Sequence, residues 1–182
     1  PDGRLEIEGL GNINAHLDNV SLAPSVGTPI GLYVDGTAHA IAHHPNRGHD
    51  SSAPESPYIV LASDANAVNG KNGTGSTYLP LSNDPSVPSA AELLIPGVSV
   101  FVRSSHWMLE RKSISAIQQD KALLDSPTAY PLRAGYGYFF TGAQWMLDEP
   151  GEWLYDTLDK AIHLRTSDMA APGARVSVVH LK

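Results

Sequence analysis

The sequence contains no cysteine, which excludes a disulfide framework, a thiolate metal site and a cysteine nucleophile. Charge is scarce as well: only 17% of residues are charged, and 12 Lys and Arg stand against 19 Asp and Glu for a formal net charge of -7. A nucleic-acid binder needs a basic footprint to displace counterions from phosphates, so no nucleic-acid partner is expected. Long apolar runs are missing. Stretches such as 58–62 and 95–102 fall far short of the roughly 20 residues that a membrane-spanning helix requires, and no membrane partner is expected either. No repeat of fixed period and no block of like charges occurs, which removes solenoid and charged-tail readings. There is also no Gly-x-Ser-x-Gly elbow and no phosphate loop. Position 1 is Pro1 rather than Met, and no basic-then-apolar leader stands before it; the expectation is a processed chain or an excised domain.

What the sequence does have is glycine and proline, 16 and 14 in 182 residues, beside 42% hydrophobic residues. That mixture suits short strands joined by turns and still supplies a core. Residues 30–34 form a strand, Asp35-Gly36 is a strong hairpin signal and 38–42 returns. Segments 43–57, 69–75 and 82–89 are rich in Pro, Gly, Asn and Ser and are expected as loops. Beyond Pro96-Gly97, alternation places Val98, Val100 and Val102 on one strand face, and residues 113–117 alternate in the same way. Residues 118–124 suit one or two helical turns. The run 136–140 is strand-like, with Tyr136, Tyr138 and Phe140 on one face and Gly137 and Phe139 on the other. A short helix is expected near residues 142–148, with Ala143, Met146 and Leu147 on one side and Pro150-Gly151 ending it. Strands at 152–155, 161–165 and 175–181 complete the chain. The expected fold is all-β, a sandwich or partly closed barrel of about ten short strands, in a single domain over 1–182.

One string is distinctive. Leu147-Asp148-Glu149-Pro150-Gly151-Glu152-Trp153-Leu154-Tyr155-Asp156, followed by Ile162-His163-Leu164, resembles a signature of large right-handed parallel β-helix proteins, many of them extracellular glycoside hydrolases or polysaccharide lyases. Two further segments agree in order. Leu32-Tyr33-Val34-Asp35-Gly36 with Ala42-His43-His44-Pro45-Asn46 is similar to the family's strand, turn and Pro-Asn segment, and residues 135–140 are similar to its aromatic strand. The likeness covers most of 28–165 in layout. His43 and His44 stand where the family pattern carries an arginine and an aromatic, and Thr141-Gly142 where an acidic-amide pair is usual, so no site role resting on those groups is carried over. The resemblance implies a β-domain beside, or interrupting the start of, a β-helix whose groove holds the catalytic groups. It also implies that 175–182 is the first strand leading into an absent helix, that the parent is secreted or periplasmic, and that the β-helix of the parent chain is a partner.

The string also has a structural explanation of its own. Pro150 stops the preceding helix, Gly151 permits the reversal, and Trp153 and Tyr155 then share one strand face with Leu154 on the other. A large buried aromatic anchoring a core is the expectation for Trp153.

Candidate chemistry elsewhere is thin. His39, His43, His44 and His49, with Asp50 and Glu55 nearby, are the densest imidazole group, yet their spacing matches no zinc motif and solvated loop histidines are expected. Asp64-Ala65-Asn66-Ala67-Val68-Asn69-Gly70 has the composition of a calcium loop without EF-hand spacing, so the cofactor expectation is none, with Ca²⁺ as the alternative. Asp148, Glu149, Glu152 and Asp156 are the tight acidic group, which the helix end and turn account for, and no catalytic residue is assigned. Ser104-Ser105-His106 puts hydroxyl beside imidazole, but strand neighbours point to opposite faces.

Carbohydrate binding needs exposed aromatic platforms beside hydrogen-bonding groups. Trp107, flanked by Ser104, Ser105, His106, Glu110 and Arg111, is the leading candidate. Trp145 follows, and Tyr136 with Tyr138 offers a third platform. The expected function is a non-catalytic accessory or carbohydrate-binding domain, inactive on its own, of a secreted polysaccharide-active β-helix protein, with polysaccharide or oligosaccharide as ligand. The alternatives are a catalytic fragment of a glycoside hydrolase or polysaccharide lyase, and a purely structural docking module.

Overall fold

The computed structural model describes residues 4–7, 18–21, 29–46, 58–66, 68–70, 73–81, 83–158, 161–166 and 176–180. The elements begin with β1 (Arg4–Ile7), β2 (Asp18–Ser21), β3 (Pro29–Val34), β4 (Thr37–Ile41), β5 (His43–His44), β6 (Ile59–Val60), β7 (Val68–Gly70), β8 (Gly73–Gly75) and β9 (Tyr78–Pro80). After a short helix α1 (Ala90–Leu93) come β10 (Ser99–Ser105), β11 (Met108–Gln118), β12 (Lys121–Leu124) and β13 (Gly137–Thr141). A 3₁₀ turn (Gln144–Met146) precedes β14 (Glu152–Asp156), β15 (Ala161–Leu164) and β16 (Val176–His180). The fold is all-β, of the sandwich or partly closed barrel class expected, with sixteen strands among the described residues where about ten were anticipated. No helix among the described residues is long and apolar enough to cross a membrane.

The chain divides into two compact units. The first is Pro1–Ala42 with Gly142–Lys182, and the second is His43–Thr141. His43 and Thr141, the ends of the second unit, are register partners, so the interruption begins and ends at neighbouring residues, as an inserted unit requires.

The first unit is a seven-stranded sheet in the order β1-β16-β3-β4-β14-β15-β2. Asp35 and Gly36, with φ of 49° and 77°, turn β3 into β4 in the left-handed geometry that matches strand twist. Leu32, Trp153, Ile162, Leu164, Val176 and Val178 form its core, and Tyr155 packs against the same cluster, as the shared face of Trp153 and Tyr155 predicts. The distinctive string knits the sheet together. The Ala40 amide donates to the Gly151 carbonyl at 3.1 Å and the Ala42 amide to the Trp153 carbonyl at 2.7 Å, so β14 runs parallel to β4. Gly151, at φ 90°, donates its amide to the Arg165 carbonyl at 2.8 Å.

The helix near 142–148 is a single 3₁₀ turn. Gly142 enters it at φ 99° and the extended Ala143 provides no side-chain cap, so a full helix has no N-terminal partner to start on. At the chain's other end, β16 is an interior strand between β1 and β3.

The second unit is a sheet ordered β5-β13-β10-β11-β12-β9, with β6 also pairing β13 and a separate β7-β8 ribbon. Its inner face carries Val100, Val102, Tyr138, Phe140 and Ile59, all buried. The helical turns expected at 118–124 are instead the β11-β12 hairpin, which reverses at Gln119 with φ 55°. The left-handed position is taken by Gln rather than Gly or Asn, so the turn has no compositional signature. Helix α1 follows the loop expected at 82–89, with Ser89 as its N-cap. The Ser89 side chain accepts from the Glu92 amide while a Glu92 carboxylate oxygen accepts from the Ser89 amide at 2.8 Å, the reciprocal capping box that a Ser-x-x-Glu spacing encodes.

Candidate functional site

The site is built at the hairpin between β10 and β11. His106 and Trp107 form its two-residue turn, neither with positive φ, and the register shift between Arg103 and Ser105 takes up the mismatch with strand twist. The Trp107 amide donates to the Ser105 hydroxyl at 3.4 Å, and Arg103 Nη2 donates to the His106 carbonyl at 3.3 Å. Trp107 therefore stands at the tip, 74% exposed.

A network between the two strands of this hairpin and residues 126–130 positions the neighbour of the indole. Glu110 accepts the Ser104 hydroxyl and takes the Ala129 amide on both oxygens, at 2.9 and 3.0 Å. Lys112 pairs with Glu110 at 3.5 Å and donates to the Pro127 carbonyl at 2.9 Å. Thr128 pins the same segment below by accepting from the Ser76 amide at 2.8 Å and donating to the Tyr130 carbonyl at 2.6 Å. The outcome is that Tyr130 meets Trp107 edge-on, with ring centroids 6.0 Å apart. The platform is exposed but anchored.

Beside it lies an open groove of about 310 Å³ lined by Tyr58, Arg103, His106, Trp107, Met108, Leu109 and Gly137. Tyr58 lies over Gly137 so closely that a Cβ at Gly137 would come within 2.9 Å of the Tyr58 Cβ; the glycine makes room for the aromatic. Paired residues share a sheet face, so Arg103 and Leu109, Phe101 and Arg111, and Phe139 all continue the groove's surface along the sheet. Phe101 and Phe139 stack, with centroids 5.0 Å apart and planes 6° apart, and the Arg111 guanidinium lies 6.0 Å from the Phe101 centroid. Among the described residues, none of those lining the groove carries a carboxylate.

The four aromatics predicted for binding are sorted by this geometry. Trp107 is on the groove, and Tyr136 adjoins it through an edge contact with His106 at 5.9 Å. Tyr138 is fully buried, edge-on to Phe140; it is a core residue and offers no face to a ligand, a correction to its pairing with Tyr136. Trp145 is half-buried on the 3₁₀ turn of the first unit and does not line the groove. Tyr58, Leu109 and Gly137 went unrecognised. Tyr58 arrives from a distant segment, and no local pattern marks it as a neighbour of Trp107.

The remaining candidates fall into structural places. His39 lies on β4 with Nδ1 3.1 Å from the Gly151 carbonyl, His43 meets Phe139 edge-on, and His44 Nε2 donates to the Ser86 carbonyl at 2.7 Å. His49, Asp50 and Glu55 lie outside the described residues. Among those described, no three His, Cys, Asp or Glu side chains gather as a metal site. In the segment with calcium-loop composition, Asp64 accepts the Ala134 amide at 2.7 Å, and Ala67 lies outside the described residues. Ser104 and Ser105 are buried while His106 is exposed, so no hydroxyl-imidazole pair assembles. Glu152 is buried and accepts the Asp148 and Glu149 amides at 3.3 and 3.1 Å, holding the turn of its own string.

No protein-family model and no curated protein sequence matches this chain. A solved structure described as a glycoside hydrolase is similar in fold, with a TM-score of 0.64 at 13% identity, over 99% of this chain and 32% of that one. This chain thus spans about a third of the length of that protein, and at such identity the likeness is one of fold.

Proposed function

We propose that this segment is a non-catalytic accessory module that helps hold polysaccharide for a secreted or periplasmic carbohydrate-active protein. The observation that carries this reading is Trp107, 74% exposed at a hairpin tip and braced by Tyr130, beside a groove with Tyr58, Arg103 and His106. A flat apolar ring next to fixed donors is what a sugar needs, its C–H face stacking while its hydroxyls find partners. The fold likeness to a glycoside hydrolase about three times longer supports the reading, and a β-helix in the parent chain is part of it.

A glycosidase fragment would need two carboxylates facing one cleft, and a lyase fragment a base positioned there. The described groove lining has no carboxylate, and Glu152 is tied into a turn. The test is a glycan-array screen of the wild-type chain, paired with incubation against neutral and acidic polysaccharides and assay for new reducing ends or unsaturated products. Binding that is lost in Trp107→Ala, without turnover, is the expected result. Turnover abolished in Asp148→Asn, Glu152→Gln or Asp156→Asn without unfolding would overturn it.

A further inference from the structure

The chain carries a formal charge of -7, so its average surface repels a polyanion. The groove and the sheet face that continues it differ from that average. Their charged side chains among the described residues are Arg103 and Arg111, and His106 adds an imidazole at the rim. Glu110, the nearest acid in sequence, alternates to the opposite face and is occupied by the Ser104 hydroxyl and the Ala129 amide.

Both guanidiniums are presented rather than loose. Arg103 uses one donor on the His106 carbonyl at 3.3 Å, and a guanidinium has five, so its fork can still take a carboxylate in the bidentate geometry that Arg favours. Arg111 lies against the Phe101 ring. The two are diagonal neighbours across the β10-β11 pair, since Arg103 faces Leu109 and Phe101 faces Arg111, a spacing of about 7–8 Å. Trp107 stands at one end of this row.

We infer that the ligand of the groove is an acidic glycan, a uronate-bearing polysaccharide whose sugar ring stacks on Trp107 while its carboxylates are taken by Arg103 and then Arg111. This rests on the reading of the groove as a glycan site and names the substrate class.

The test is calorimetric titration of the wild-type chain with oligomers of galacturonate, glucuronate and mannuronate and with the same oligomers after reduction of their carboxyl groups to primary alcohols. A uronate oligomer should bind about tenfold or more tightly than its reduced form at low salt, the scale of one charge-assisted hydrogen bond, and the preference should shrink as salt rises. Arg103→Gln should remove most of the preference by weakening the uronate oligomer much more than the reduced one, and Arg103→Lys, which keeps charge without the fork, should restore only part of it. Trp107→Ala should weaken both forms. If reduced and uronate oligomers bind equally, or Arg103→Gln leaves their ratio untouched, the acidic assignment is overturned and the glycan site stands. If the wild-type chain binds no glycan of either kind, the glycan site and the assignment fail together.

Discussion

Replacing Trp153 by alanine separates scaffold from platform, because the two tryptophans in question sit at opposite extremes of exposure. Trp153 is 2% exposed, lies in the core with Leu32, Ile162, Leu164, Val176 and Val178, and donates its indole N–H to the His39 carbonyl at 3.1 Å. A tryptophan buries up to about 250 Å², which at roughly 25 cal/mol per Å² is a ceiling near 6 kcal/mol. Compactness of the unfolded chain and the area retained by alanine lower it, and the result falls in the band of about 3–5 kcal/mol known for buried aromatic truncations. For a chain of this length each kcal/mol moves the melting temperature by about 2–4 °C, so Trp153→Ala should melt roughly 6–20 °C lower. Trp107 keeps only about a quarter of its surface covered, which limits Trp107→Ala to about 1.5 kcal/mol on the same scale. Differential scanning calorimetry of both variants against wild type, with glycan affinity measured in parallel, reads both effects. Trp107→Ala should stay folded and lose affinity. If instead Trp107→Ala unfolds while Trp153→Ala melts like wild type, the assignment of core and platform is reversed and the reasoning fails.

Other perturbations follow from specific contacts. A Cβ at Gly75 would sit 1.8 Å from the Thr128 carbonyl oxygen, so Gly75→Ala should cost at least the roughly 1–3 kcal/mol of overpacking and lower the urea midpoint; Gly31→Ala, with no contact closer than 3.6 Å, should leave it nearly unchanged. Gly137→Ala should displace Tyr58 and weaken glycan binding more than it lowers stability, which affinity and melting measured on one sample would resolve. The Glu92 carboxyl is held below its ordinary value chiefly by the hydrogen bond with the Ser89 side chain and next by that from the Ser89 amide. A depressed carboxyl pKa contributes stability that is complete above the unfolded value, about 4.3, and is lost as pH falls through the folded value. Wild type and Glu92→Gln should therefore differ at neutral pH and converge in strong acid, as pH-dependent urea titration would show; a constant difference across that range would argue against the carboxylate's role.

Much of the secondary structure was legible in the chain because it depends on neighbours. The Asp35-Gly36 hairpin, the Val98, Val100 and Val102 face, and the reversal at Pro150-Gly151 each follow from periodicity or from backbone freedom. The Ser89-x-x-Glu92 cap was readable too, although the proline-rich surroundings hid it. Trp107 stood out as an aromatic among polar residues, and its exposure agrees. Local pattern could not supply what depends on partners far away in the chain. Alternation put Tyr136, Tyr138 and Phe140 on one face, yet only packing buries Tyr138 and leaves Tyr136 beside His106. The placement of β16 between β1 and β3, of β14 parallel to β4, and of Tyr58 across Gly137 joins segments tens of residues apart. Such pairings are selected by which complete set of strands buries the most apolar surface with its backbone hydrogen bonds satisfied. The sequence by itself determined an all-β chain with one prominent exposed tryptophan; the tertiary structure decided that this tryptophan borders a groove lined by Arg103, with Arg111 on the sheet face that continues it.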